Sequence, residues 1–167
     1  MGFLCPDIQQ QYNEADKADL MELFAGIQWQ AMLSGRVDIT KQLSTERVDA
    51  VFAKWRSLAC KITGLSIGSI ATLTNYHGLH VHALLVGANR CGMTINDVDA
   101  DTLQRCWFGM FGGTCRISHV YDSGAAEYII SKNLIHKYAT VLSPRGMPLL
   151  NKLRKAGGKQ YEDSTCY

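Results

Sequence analysis

The residues best suited to chemistry in this chain are two histidines, His80 and His82, in the run "GLHVHALLVG". If that run is a strand, its period of two sends both imidazoles to one face, about 6.5–7 Å apart, while Val81 and Ala83 point to the other. Two imidazoles on one surface form part of a ligand set for Zn, Mn, Fe, Co or Ni. His77, in the preceding "NYHG", is a further candidate ligand. A second group follows in "GAAEYIISKNLIH". Tyr128, Lys132 and His136 are spaced four apart and form one stripe of a helix, whereas Ala126, Ile130 and Leu134 form a row about 200° around the axis. A tyrosine hydroxyl, with a free pKa near ~10, is a poor nucleophile. A bound cation makes its attack on a phosphodiester feasible by offsetting the charge of the transition state. Lys132 adds a compact positive charge one turn away.

Several other uses of the histidine pair fit poorly. A histidine-triad hydrolase needs a third histidine in step, but Gly78 and Leu84 occupy those positions. Neither H-x-T nor H-x-S occurs, against two-histidine phosphoesterases. The chain is too short for the barrel of an amidohydrolase. A cupin would be almost all strand, at odds with the helical runs at 45–62 and 124–139.

The elements that must position these residues follow from periodicity. Residues 24–35 read as a strand ending in a turn at Ser34-Gly35. In 45–62, Val48, Val51, Phe52, Trp55, Leu58, Ala59 and Ile62 mark the buried face of a helix, capped by Ser44 with Glu46 in its first turn. Residues 65–74 and 79–87 read as strands joined by a turn at 75–78. A helix at 97–111, a strand at 113–122 and a helix at 124–139 follow, and 7–24 reads as an acidic helix. The order strand, helix, strand, strand, helix, strand, helix predicts an α+β domain: an antiparallel sheet with helices packed on it, on the split βαβ, ferredoxin-like plan. The domain is expected to span 1–140, with a basic C-terminal tail at 141–167.

Composition sets limits. With 47% hydrophobic residues, the 167-residue chain can bury a core without staples. The net charge is only +2, but it is unevenly placed. Residues 1–30 contain Asp7, Glu14, Asp16, Asp19 and Glu22 against Lys17. Residues 128–161 contain Lys132, Lys137, Arg145, Lys152, Arg154, Lys155 and Lys159 and no acid. This points to a positive surface for an anionic polymer. Six cysteines at 5, 60, 91, 106, 115 and 166 include no C-x-x-C pair, consistent with free thiols in a reducing cytoplasm. No signal peptide, lipidation box or membrane span is read in the sequence.

The strand "GLHVHALLVG" followed by "CWFGMFGGTCRISHVYDSGAAEYIISK", in this order of elements, resembles the HUH endonuclease superfamily, and within it the rolling-circle replication initiators. The similarity covers Ile67 to Tyr138. It implies a single-tyrosine nickase that cuts and rejoins single-stranded DNA or a hairpin origin, leaving a 5′-phosphotyrosine and a free 3′-OH. Mg²⁺ or Mn²⁺ would be held by His80 and His82, with Tyr128 as nucleophile and Lys132 at the phosphate or metal. Arg116, Lys137 and Tyr76 are the expected DNA contacts, together with basic residues from Arg145 to Lys159. Trp107 is expected in the core. A host helicase is an expected partner, because no G-x-x-x-x-G-K-[ST] motif occurs, and the expected setting is the cytoplasm of a bacterial or archaeal host of a plasmid, phage or other mobile element. Transposases and relaxases of the same superfamily are the nearest alternatives.

One departure stands out. Initiators often carry a Glu on the strand before the histidines, but here Thr72 stands near that position and no acid occurs between Asp49 and Asp97. Thr72, Thr74, Asn75, His77 and water remain as third ligand, with His77 preferred. Losing a carboxylate weakens the hold on a hard ion such as Mg²⁺. A degenerate domain that binds nucleic acid without cutting it, and a hydrolase of small phosphates that uses the histidines but not Tyr128, are the competing expectations.

Overall fold

The computed structural model describes residues 26–74, 78–120, 139–142 and 144–162. Within them the chain forms β1 (Ala31–Val37), α1 (Thr45–Thr63), β2 (Ser66–Thr74), β3 (His80–Ala88), α2 (Ala100–Phe111), β4 (Gly112–His119), β5 (Ala139–Val141) and α3 (Met147–Glu162). The strands make one sheet in the order β4-β1-β3-β2-β5, with every neighbouring pair antiparallel. β1 and β2 therefore run parallel with β3 inserted between them. This is the expected split βαβ arrangement, with α1 and α2 as the crossovers.

Local chemistry explains the element limits. Ser44 accepts a hydrogen bond from Arg47 N at the start of α1, and Gly64, with φ of 70°, ends the helix in the left-handed conformation. Asp99 caps α2 by accepting from Asp101 N. α1 and α2 cover one face of the sheet. Val48, Phe52, Trp55 and Ala59 meet Leu103, Trp107 and Phe111 over the inward side chains Leu33, Ala71, Leu73, Val81, Ala83 and Leu85. Burying each large apolar side chain contributes about 1.5–3 kcal/mol. The aromatic rings interlock: Trp107 stacks on Phe111 with centroids 4.1 Å apart and meets Trp55 edge-on at 5.8 Å. Trp107 is fully buried, as expected.

Three expectations shift. Ser34-Gly35 is not a turn but the middle of β1, which begins later than expected and runs on to Val37. Gly35 is there because the Trp107 ring lies against it: an added Cβ would stand 2.3 Å from Trp107 Cζ2. Ile62, assigned to the buried face of α1, is 50% exposed, because that face runs past the edge of the core in the last turn. Finally, the stretch expected as a tail supplies the last residue of β5 and all of α3. Leu142 N donates to Ala71 O, Ser69 and Arg145 exchange backbone hydrogen bonds, and Leu150 is buried at 1% exposure. The expected helix at 7–24 and residues 124–138 of the one expected at 124–139 lie outside the described residues, while Ala139 begins β5.

Candidate metal and phosphate site

β3 has two halves on its outer side, the side away from α1 and α2. Leu84 and Val86 join Ile27, Trp29, Ile70 and Leu150 in a second apolar cluster to which α3 contributes. His80 and His82 continue the same face beyond that cluster, where both are half-buried. One strand thus changes on one face from apolar to imidazole, and among the described residues the covering helix reaches only the apolar half. Register places the neighbours. Ser34 and Thr72 flank His82, and Arg36 and Thr74 flank His80. Arg116 lies beyond Ser34 on β4, where it is exposed.

Each histidine is oriented through Nδ1. His80 Nδ1 lies 2.9 Å from Gly78 O. A carbonyl only accepts, so Nδ1 carries the proton and the lone pair of the neutral ring belongs to Nε2. His82 Nδ1 lies 3.3 Å from Ser34 Oγ. A second hydrogen bond at one ring nitrogen, leaving the other as ligand, is the usual support of a metal-binding histidine. Thr72 is 4% exposed, and its hydroxyl donates to His82 O at 3.4 Å.

The donor set therefore fits a divalent ion of borderline hardness, with His80 and His82 as the residues to hold it. The rings are nearly parallel, at 11°, with centroids 6.5 Å apart. Bonds of about 2.1 Å bring two ligating nitrogens within roughly 4 Å of each other, so at least one ring turns toward the other on binding. Among the described residues, no three His, Cys, Asp or Glu side chains come together. Thr74 remains alongside His80 as an oxygen donor.

The structure thus brings His80, His82 and Arg116 to one face. His77, Tyr76, Tyr128, Lys132 and Lys137 lie outside the described residues. Arg145, expected among the phosphate contacts, is instead tied to Asp49 of α1 by an ion pair of 3.0 Å. Two residues of the site escaped the sequence reading, Ser34 and Arg36. Their signal was present: in "AMLSGRV" the outward positions Met32, Ser34 and Arg36 alternate with the inward Ala31, Leu33, Gly35 and Val37. The Ser-Gly pair, a common turn signal, concealed it.

Comparison of the chain with family models, curated proteins and solved structures returns no match. Among the described residues no helix is long and apolar enough to cross a membrane.

Proposed function

We propose that the chain is a metal-dependent enzyme that nicks and rejoins single-stranded DNA to start rolling-circle replication. The observation that carries this reading is the pairing of two oriented imidazoles beyond the part of the face that α3 covers, on a sheet whose described strands contain no Asp or Glu. Such a face attracts a phosphodiester rather than repelling it. His80 and His82 would hold Mn²⁺ or Mg²⁺, which when bound supplies Lewis-acid polarisation of the scissile phosphate. Arg116 contributes positive charge toward the backbone of the strand.

In this reading Tyr128 is the nucleophile, assigned from the motif that carries it. Its phenolic oxygen bonds to phosphorus as the phenol proton leaves. The bond from phosphorus to the 3′-oxygen breaks, and that oxygen takes up a proton to become the free 3′-OH. The 5′ end remains on the enzyme as a phosphotyrosine, and attack by a 3′-OH reverses the step and rejoins the strand. Lys132, four residues after Tyr128 in the sequence, adds positive charge at the phosphate.

The test is incubation with labelled single-stranded origin DNA and Mn²⁺. A covalent protein–DNA adduct that disappears in Tyr128→Phe supports the nickase. A second reading, a domain that binds nucleic acid without cutting it, is favoured by the absence of Asp and Glu from the described strands that carry and flank the histidines. Tight binding with no adduct across candidate origins would establish that reading instead.

A further inference from the structure

β1 carries one more cation on the histidine face. Arg36 stands opposite His80 in the β1–β3 register, and its side chain is exposed. Cross-strand partners sit about 4.5–5.5 Å apart at Cα, so the guanidinium reaches the space around the imidazole. Its backbone is held from three directions. Trp107 Nε1 donates to Arg36 O at 2.9 Å. The β1–β4 register shifts between Gly35 and Val37, a bulge of the kind that re-aims a side chain. On β4, Gly113 approaches so closely that an added Cβ would stand 2.3 Å from Arg36 O. Among the described residues the guanidinium itself has neither an ion-pair nor a hydrogen-bond partner, and no strand of the sheet offers it a carboxylate.

A fixed backbone that presents an exposed arginine, unpartnered among the described residues, beside an imidazole has little value for the core. It suits a planar, bidentate grip on a phosphate group. We infer that Arg36 is a phosphate-binding residue for single-stranded nucleic acid, holding the backbone beside the phosphate that reaches His80 and His82. This rests on the nicking reading above and assigns a strand contact within it. Arg116 lies two strands from His82, so the two arginines stand on the same side of β3, in different rows of the sheet.

The experiment measures binding of a fluorescein-labelled mixed-sequence single-stranded DNA by anisotropy, in EDTA, across a range of salt concentrations. Each phosphate contact on a single strand contributes about 0.7 to the slope of log affinity against log salt. Arg36→Ala is expected to weaken binding roughly tenfold and to lower that slope by about 0.7. Arg36→Lys keeps the charge and is expected to retain the slope. Arg90→Ala, at the exposed turn after β3, is expected to match the wild type. Wild-type affinity and slope in Arg36→Ala overturn the inference and leave the nickase reading standing. Failure of the wild-type protein to bind single-stranded DNA removes both. Equal loss of slope in Arg36→Ala and Arg36→Lys marks a structural role and also overturns the inference.

Discussion

His82 takes its orientation from a hydroxyl on the neighbouring strand, and His80 from a carbonyl just before its own strand. Removing such a support typically lowers metal affinity 10–100-fold. Ser34→Ala is therefore expected to weaken Mn²⁺ binding by about tenfold, measured by titration calorimetry, while leaving the fold intact. A second residue-level expectation concerns Cys115, whose thiol is pushed up to about 12 from 9.0 by burial. The folded chain keeps this proton where the unfolded chain releases it. The contribution of Cys115 to stability is thus complete below about pH 9 and is lost as pH rises toward 12. Iodoacetamide at pH 9 is expected to label the exposed Cys91 quickly and Cys115 slowly, read by peptide mass spectrometry; equal rates would contradict this. At this scale the sequence was most legible where side-chain parity is set within a single strand. His80 and His82 share a face because they stand two positions apart, with only Val81 between them. Ser34 and Arg36 could not be placed beside them, because cross-strand register depends on pairing between distant segments.

Among the elements, α1 was the easiest to read, since a long amphipathic period, a serine cap and an acid in the first turn all agree. Its last turn misled only at Ile62, where periodicity continues but the sheet no longer lies beneath it. β1 was harder. Its Ser-Gly pair signals a turn locally, and only the tertiary contact with Trp107 reveals Gly35 as a point of close approach. Gly35→Ala is accordingly expected to destabilise the fold by about 1–3 kcal/mol through overpacking, read as a lower denaturation midpoint in urea with an unchanged slope. The segment leading to α3 was read as a solvated tail because its basic residues dominate the pattern. Its attachment depends on backbone pairing of Arg145 with Ser69 and on the ion pair with Asp49, which composition does not encode. Asp49→Ala leaves the Arg145 guanidinium without its carboxylate and is expected to destabilise the protein by about 1–3 kcal/mol. Arg145→Met, which removes the charge as well, is expected to be milder in the same assay.

For the molecule as a whole, the division of the sheet into two faces is the organising fact. Helices α1 and α2 close one face with aromatic side chains, α3 closes part of the other, and the remainder carries imidazole, hydroxyl and guanidinium groups. The α+β split βαβ plan was legible because strand and helix periods alternate cleanly along the chain. The nicking activity remains a proposal that depends first on His80 and His82 acting together on one ion. Uptake of Mn²⁺, followed by loss of the free-ion signal in electron paramagnetic resonance, tests that dependence most directly. The account predicts a single site in the wild-type protein that is abolished by His80→Ala and equally by His82→Ala. Undiminished Mn²⁺ uptake in the double variant would contradict it.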